Sequence, residues 1–288
     1  MDAELVRRIA FAAVAIPLAL LIVWYGGLPL AALLAAASGL GTAELFGLAE
    51  RKGVRPARVL GAASAAAIAP LAYLVLTQPA LRAAADRLGL VLAALWLIAV
   101  LTWVLAVRAP TDRPLEAAAV TLLGVAYTGA LPAFIVAIRH GQLPLKSWAG
   151  AWLVFFPLVV TWVCDSAAMF GGRTFGGPKL APTVSPGKTR SGTVTGIVGA
   201  LLVAPLFAGV VFPRVGVTLG LLPALAIAGV LSIVGQIGDL TESLFKREAG
   251  VKDSSHLIPG HGGVLDRLDS LYFVVPVAAA MYRAFGVI

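Results

Sequence analysis

The hydrophobic pattern of the chain consists of long continuous apolar runs separated by polar connections. The runs lack the alternation of apolar and polar residues that is typical of half-buried strands, and Ala and Leu are abundant in them. Each run is about 20 residues long, which is enough for a helix to cross a bilayer. The pattern therefore predicts an all-α fold, a polytopic integral membrane helical bundle, in which strands are not expected.

Nine of these runs are candidates for transmembrane helices. They are Ile9–Trp24, Leu28–Leu48, Val59–Leu76, Leu88–Val107, Ala117–Ile138, Ala151–Phe170, Val194–Phe212, Val217–Leu240 and Leu271–Val287. The first run resembles a secretory signal peptide. Its apolar core is long and no clear small-residue cleavage site follows it, so we interpret it as a retained helix.

The basic residues orient the predicted bundle. If the N-terminus is cytoplasmic, 16 of the 22 Lys and Arg residues fall at the N-terminus or in connections on the cytoplasmic side. Positive charge accumulates on that side of membrane proteins. We therefore expect a cytoplasmic N-terminus, in a plasma membrane or a bacterial inner membrane.

Composition and charge narrow the class of protein further. The mean hydropathy is +0.95, and 12% of the residues are charged, against about 25% in soluble domains. The net charge of +8 is explained by loops that face anionic lipid, so no nucleic-acid partner is expected. The single cysteine, Cys164, excludes an internal disulfide and lies in an apolar run, which favours a packing role.

The two halves of the chain differ in where polar residues lie. Before about residue 140 the apolar runs carry almost no ionisable groups, apart from Glu44 near the end of one run. After it, charged residues enter the runs, and two long polar connections, Gly171–Thr193 and Thr241–Ser270, fall on the predicted cytoplasmic side. We therefore expect a transmembrane scaffold over 1–140 and a transmembrane catalytic half over 141–288.

The first polar segment is "WVCDSAAMFGGRTFGGPKLAPTVSPGKTRSG", residues 162 to 192. Asp165 lies inside an apolar run, where a carboxylate is costly unless it faces a cavity, a partner or an ion. The basic residues that follow are Arg173, Lys179, Lys188 and Arg190. They could bind phosphate or form an ordinary solvated basic loop, and the segment alone leaves both readings open. "SPGKT" is not the end of a P-loop, because Pro182 stands where that motif needs glycine.

The second segment is "GQIGDLTESLFKREAGVKD", residues 235 to 253. On a helix, Gln236, Asp239, Glu242, Ser243 and Lys246 would project within an arc of about 120°. Such a stripe should face a shared polar space. The alternative is a helix emerging into water, with Glu242 paired to Lys246 at i,i+4 spacing. Asp239 is harder to explain in that way, because it directly follows about 20 mainly apolar residues.

The third segment is "HLIPGHGGVLDRLDS", residues 256 to 270. Asp266 and Asp269 are three apart and would share one face of a helix, where they suit a hard cation such as Mg²⁺. Zinc is not expected, because the chain has one cysteine and its three histidines form no recognisable ligand set. His261 could be a structural hydrogen-bonding group or a proton carrier. Carboxylates for a metal together with cations for phosphate indicate phosphoryl or nucleotidyl transfer.

The stretch "SLFKREAGVKDSSHLIPGHGGVLDRLD", Ser243 to Asp269, closely resembles the signature of the phosphatidate cytidylyltransferases (CDP-diacylglycerol synthases). The matching residues are Ser243, Lys246, Arg247, Lys252, Asp253, Ser255, Ile258, Pro259, His261, Gly262, Gly263, Asp266, Arg267 and Asp269. The resemblance is strong over about residues 160 to 275. Two positions depart from the pattern: Ser191 stands where the family commonly has Glu, and Gly177 where it often has Lys.

The resemblance implies condensation of CTP with phosphatidate, giving CDP-diacylglycerol and pyrophosphate, at a site facing the cytoplasm. It implies Mg²⁺ as cofactor, held by Asp239 and Asp266 with Asp165 and Asp269 nearby, and leaves a second cation open. The candidate catalytic residues are Asp239, Asp266, Asp269, Lys246 and Lys252. The candidate substrate-binding residues are Ser185, Lys188, Arg247, His261, Gly262, Gly263 and Arg267. The expected partners are CTP, phosphatidate and bilayer lipid, and a homodimer is left open.

Two alternatives remain. One is a CTP-dependent enzyme that acts on another lipid acceptor. The other is a transporter, which would spread charged groups through the membrane depth, whereas here they cluster at one face of one half. A CDP-alcohol phosphotransferase is not favoured, because its D-G-x-x-A-R pattern is absent from the sequence.

Overall fold

The protein is described by a computed structural model that covers residues 13, 16–258, 260 and 262–288. Over those residues nine helices have ten or more residues. They are α1 (Ile16–Tyr25), α2 (Gly27–Glu50), α3 (Arg58–Thr77), α4 (Pro79–Val107), α5 (Pro114–His140), α6 (Trp148–Phe175), α7 (Arg190–Arg214), α8 (Leu221–Glu248) and α9 (Val264–Ala284). Helices α2 to α8 are each long and apolar enough to cross a membrane. The predicted all-α, polytopic membrane fold is confirmed.

The helices after residue 140 extend beyond their apolar runs into the polar connections. Helix α6 continues to Phe175 and α8 to Glu248, and α9 begins at Val264, ahead of the predicted Leu271. Hydropathy marks the segment that fits the hydrocarbon core, whereas the helical hydrogen-bond ladder can continue into water. Asp239 and Lys246 therefore lie on α8, and Asp266 and Asp269 lie on α9, rather than on loops.

The expectation that the chain has no strands was wrong for eight residues between α6 and α7. Strands β1 (Lys179–Ala181) and β2 (Ser185–Thr189) form an antiparallel hairpin, with Lys179 opposite Thr189 and Ala181 opposite Ser185. The "SPGKT" sequence is strand β2 itself. The Thr189 hydroxyl then caps α7 by accepting a hydrogen bond from the Gly192 backbone N–H at 3.1 Å. The hairpin is thus fixed directly to the start of a membrane helix.

Helices α6 and α7 pack closely because small residues line their contact. A Cβ atom added to Gly196 would lie 3.0 Å from the Cys164 carbonyl oxygen, and one added to Gly199 would lie 2.6 Å from the Ala167 Cβ. The Thr195 hydroxyl also donates to the Ala167 carbonyl at 3.1 Å. Small residues of this kind let membrane helices approach each other. The contact holds the hairpin beside the end of α6.

Helix α9 is packed against other helices of the bundle, and the bundle presents apolar side chains outwards. Helix α9 packs against α8, α5 and α2, so contacts cross the predicted boundary at residue 140. On the outside of the bundle, Leu90 is 86% exposed and Leu105 is 82% exposed. Such a surface suits a hydrocarbon environment. The division into a scaffold and a catalytic half stays a prediction.

A buried arginine and the histidine that follows it join α5 to α1 and α2. They lie at the end of the bundle that is predicted to face outwards. Arg139 donates from Nε to the Val23 carbonyl at 2.8 Å and from Nη2 to the Trp24 carbonyl at 2.6 Å, at the last turn of α1. His140 Nε2 accepts a hydrogen bond from the Gly27 N–H at 2.8 Å, at the first turn of α2. Both side chains satisfy backbone groups at helix ends, which indicates a structural role.

Candidate active site

The C-terminal ends of α6 and α8, the start of α7 and the β1–β2 hairpin line a cavity of about 730 Å³. Its charged lining residues are Asp165, Arg173, Lys179, Lys188 and Asp239. The cavity therefore combines two carboxylates with three cations. The basic residues of the first polar segment were open to two readings, and three of the four line this cavity.

Lys188 and Asp239 form the closest ion pair across the cavity. The Lys188 Nζ atom lies 2.6 Å from the Asp239 Oδ2 atom, and each side chain is 26% exposed. The Ser243 hydroxyl, one turn further along α8, donates to Asp239 Oδ1 at 3.2 Å. Strand β2 and helix α8 thus meet at one carboxylate that remains open to the cavity.

Three carboxyl groups from three different helices lie within electrostatic range of one another. These are Asp165 on α6, Asp239 on α8 and Asp269 on α9. Helices α8 and α9 are in close contact here, because a Cβ atom on Gly238 would lie 2.8 Å from the Asp269 carbonyl oxygen. Negative groups gathered in this way repel one another, so the arrangement favours a bound cation.

A second polar cluster lies between α8 and α9. Lys246 Nζ lies 3.0 Å from Glu242 Oε1 and 2.7 Å from Asp266 Oδ1, and all three residues are buried. The predicted pairing of Glu242 with Lys246 is present, but it lies inside the protein rather than in water. The polar stripe of α8 is therefore divided, with Gln236 and Asp239 lining the cavity and Glu242 and Lys246 facing α9.

The Asp266 carboxylate is fully engaged by hydrogen-bond donors of the chain. Its Oδ2 atom accepts hydrogen bonds from the Ser254 N–H at 2.9 Å, the Ser254 hydroxyl at 2.7 Å and the Gly263 N–H at 2.8 Å. The bond from Gly263 caps the first turn of α9. A cation at Asp266 would have to compete with Lys246 and these donors, so its role as a metal ligand stays a prediction.

Glu44 of α2 completes this cluster, and sequence reasoning gave it no role. It is 9% exposed, and its carboxylate accepts hydrogen bonds from the Val264 and Leu265 N–H groups at the start of α9. The available signal was a carboxylate at the end of an apolar run, which is rarely placed there without a partner. Ser254 was also missed, because the signature match passed over it.

The Arg247 guanidinium binds backbone carbonyl groups of the protein and does not line the cavity. Its Nε atom donates to the Val184 carbonyl at 3.2 Å, in the hairpin turn, and its Nη1 atom donates to the Val251 carbonyl at 2.8 Å. The two long polar connections are thus joined through one guanidinium group. Its predicted part in phosphate binding is untested.

The other predicted site residues lie around these two clusters. Ser185 is half-buried on β2. Lys252 is exposed on the connection between α8 and α9, and Arg267 is exposed on α9.

In the glycine-rich stretch before α9, Gly262 has a φ of 81°, which favours glycine. Its carbonyl accepts a hydrogen bond from the Ile258 N–H at 2.8 Å. His261 lies outside the described residues. Gly263 lies against Glu44 and Ser254 rather than in the cavity.

Within the described ranges, no three His, Cys, Asp or Glu side chains are close enough to form a ready-made metal site. Mg²⁺ is commonly held by one or two carboxylates together with substrate phosphates and water. Asp165 and Asp239, which line one cavity beside basic residues, fit that type of site.

A comparison of the sequence with known protein families identifies the family of the chain. Residues 6–285 match the profile of the cytidylyltransferase family. The chain belongs to the cytidylyltransferase family. For a cytidylyltransferase, a cavity that combines carboxylates with Lys and Arg side chains has the chemistry that a nucleoside triphosphate requires.

Three curated relatives of this cytidylyltransferase are phosphatidate cytidylyltransferases of bacteria. The chain is 40% identical over 148 residues to the phosphatidate cytidylyltransferase of Haemophilus influenzae, which covers 51% of each chain. It is 46% identical over 169 residues to that of Brucella suis, covering 57% of this chain and 56% of the relative. It is 42% identical over 165 residues to that of Pseudomonas aeruginosa, covering 57% and 58%. The matches thus span little more than half the length of each relative.

Proposed function

We propose that the protein transfers the cytidylyl group of CTP to phosphatidate, giving CDP-diacylglycerol and pyrophosphate. The observation that carries the proposal is the cavity at the ends of α6, α7 and α8, in which Asp165 and Asp239 lie with Arg173, Lys179 and Lys188. It combines metal-binding and phosphate-binding side chains at the edge of the apolar bundle. Membership in the family and the names of the relatives support the same reaction.

In this reaction a phosphate oxygen of phosphatidate attacks the α-phosphorus of CTP. A new P–O bond forms, the bond from the α-phosphorus to the bridging oxygen breaks, and pyrophosphate leaves with that electron pair. Phosphatidate is already an anion at neutral pH, so no strong general base is needed. The difficulty is to bring two anions together, and cationic side chains reduce that repulsion.

The residues of the cavity divide this task. Lys188 lies on β2 and Arg173 and Lys179 lie at the rim, where they can bind the triphosphate oxygens. Asp239 with Asp165, and Asp269 nearby, would hold Mg²⁺, which would neutralise the phosphates and assist departure of pyrophosphate. Lys188 is paired with Asp239 at 2.6 Å, and it would be free to bind the phosphates if Asp239 held a cation.

Asp266 and Lys246 would act indirectly, by holding α8 and α9 together at the site. Their ion pair, at 2.7 Å, joins the ends of α8 and α9, which carry Asp239 and Asp269. Lys252 and Arg267 are both exposed and can bind phosphate from the lipid or the nucleotide. We place the site at the cytoplasmic face of a plasma or inner membrane, where CTP arrives from water and phosphatidate from the bilayer.

The test is a transfer assay on the full-length, detergent-solubilised protein. Radiolabelled CTP is offered with phosphatidate, lysophosphatidate, phosphatidylglycerol or diacylglycerol, with and without Mg²⁺. We expect a radiolabelled lipid with phosphatidate and Mg²⁺ in the absence of any ion gradient. Labelling of another acceptor in its place would support the alternative enzyme, and loss of CTP turnover with all acceptors would overturn the proposal.

A further inference from the structure

The Glu44 carboxylate joins the scaffold half to the signature segment through three hydrogen bonds and one further polar contact. Its Oε1 atom accepts from the Val264 N–H at 3.1 Å and the Ser255 hydroxyl at 2.7 Å. Its Oε2 atom accepts from the Leu265 N–H at 2.7 Å and lies 3.2 Å from the Ser254 hydroxyl. These contacts connect residues about 210 to 220 positions apart.

The two backbone donors are the first N–H groups of α9, which have no partner within the helix. A helix N-terminus leaves such donors unsatisfied and favours negative charge. Asp266 satisfies the donor of Gly263, and Glu44 satisfies those of Val264 and Leu265. The first turn of α9 is therefore capped by one carboxylate of its own and by one from α2.

The absence of a side chain at Gly263 is required by this cap. A Cβ atom at Gly263 would lie 2.4 Å from Glu44 Oε2 and 2.3 Å from Ser254 Oγ. Both are closer than non-bonded atoms can approach. Gly263 thus leaves room for the Glu44 carboxylate, and its part in substrate binding stays a prediction.

The hydrogen bonds of this cap continue to the second polar cluster, which contains Lys246 and Asp266. The Ser254 hydroxyl lies between Glu44 Oε2 and Asp266 Oδ2, at 3.2 and 2.7 Å, and Asp266 in turn binds Lys246 at 2.7 Å. Asp269 follows Asp266 by three residues on the same helix. A displacement of the first turn of α9 would therefore shift the Asp266 and Asp269 carboxylates together.

We propose that Glu44 is a positioning residue that fixes the first turn of α9 and, through it, the Asp266 and Asp269 carboxylates beside the cavity. The catalytic consequence rests on the proposed function, whereas the structural one does not. Glu44 acts through α9 and lies on a helix that the signature does not include.

The experiment compares Glu44→Gln with Glu50→Gln in the full-length protein. Glutamine in place of Glu44 keeps the size of the side chain but has one accepting oxygen, so at least one N–H of α9 loses its partner. Glu50 lies on the same helix in an exposed ion pair with Arg58 and is the matched control. Hydrogen–deuterium exchange is followed over residues 250–270 and over α4, together with kcat and KM for CTP.

We expect Glu44→Gln to accelerate exchange at the start of α9 by about tenfold or more while α4 is unchanged. We expect kcat to fall by about tenfold to a hundredfold, the range for small displacements of reacting groups, while KM for CTP changes less than about threefold. The KM is retained because the cavity residues on α6, β2 and α8 do not contact Glu44. Glu50→Gln should match the parent protein in all three measurements.

A second variant separates positioning from general loss of stability. Gly263→Ala should reproduce the fall in kcat. The double variant Glu44→Gln/Gly263→Ala should lose less kcat than the product of the two single losses, because both changes disturb one contact.

If the start of α9 exchanges at the parental rate in Glu44→Gln, the proposed cap is wrong. Faster exchange with parental kcat overturns the positioning role. If the parent protein shows no CTP turnover, the exchange data still decide whether Glu44 fixes α9.

Discussion

Lys188 on β2 and Asp239 on α8 meet at 2.6 Å across the cavity, and each is partly exposed. A partly exposed ion pair between separate elements contributes little to stability, so its position is better explained by function. Under the proposed function we expect the partners to exchange, so that the Asp239 carboxylate would hold the metal and the Lys188 ammonium would bind phosphate.

The first prediction concerns Asp239. Asp239→Asn should lower turnover about a hundredfold or more, because the neutral amide cannot hold a divalent cation whose charge contributes several kcal/mol in the transition state. Stability should change little, because the side chain is partly exposed. The assay is labelled lipid formed at saturating Mg²⁺, beside a melting curve. Asp86→Asn, on an exposed face of α4, is the control; equal rates for the two variants would exclude Asp239 as a ligand.

Asp266→Asn should lower both turnover and stability. Asparagine has one accepting oxygen, so it cannot bind Lys246 and the donors of Ser254 and Gly263 together. Loss of a hydrogen bond to a charged group costs about 1.5–3 kcal/mol in free energy of unfolding. Thermal unfolding and CTP consumption are measured on one preparation. Near-normal Mg²⁺-dependent CTP consumption would contradict the role of Asp266.

Arg247→Lys should loosen the hairpin. A lysine ammonium lacks the planar fork with which Arg247 reaches the Val184 and Val251 carbonyls together. We expect faster hydrogen–deuterium exchange over residues 179–189 and a KM for CTP that rises several-fold, because Lys188 is carried by that hairpin. Arg51→Lys, at an exposed position directly after α2, should leave both values unchanged. An unaltered hairpin in Arg247→Lys would show that the two carbonyl contacts do not hold it.

Arg139→Met should destabilise the protein without changing the chemistry. The change leaves the Val23 and Trp24 carbonyls without their charged donor, at a cost of about 2–3 kcal/mol or more. Arg139 lies at the opposite end of the bundle from the cavity, so kcat per folded molecule should be retained below the unfolding transition. Arg82→Met, which is exposed on α4, is the control. A lower kcat with unchanged melting would contradict this structural role.

The sequence by itself determined the membrane fold and the chemistry of the site. Continuous apolar runs long enough for a bilayer predict helices whatever their neighbours are, because the solvent imposes that length. Asp165 and Asp239 were singled out because charged groups in such surroundings need a cavity or a partner. The segment from Ser243 to Asp269 could be matched as a string, which needs no coordinates.

Only the tertiary structure decided which of these groups share a partner. It paired Lys188 with Asp239, turned Asp266 toward Lys246, and formed a hairpin where the sequence indicated a loop. It also brought Glu44 onto α9 from more than 200 residues away and explained Gly263 by that contact. Local pattern reports which groups are costly to bury, whereas the packing of distant helices determines which donor or acceptor offsets that cost.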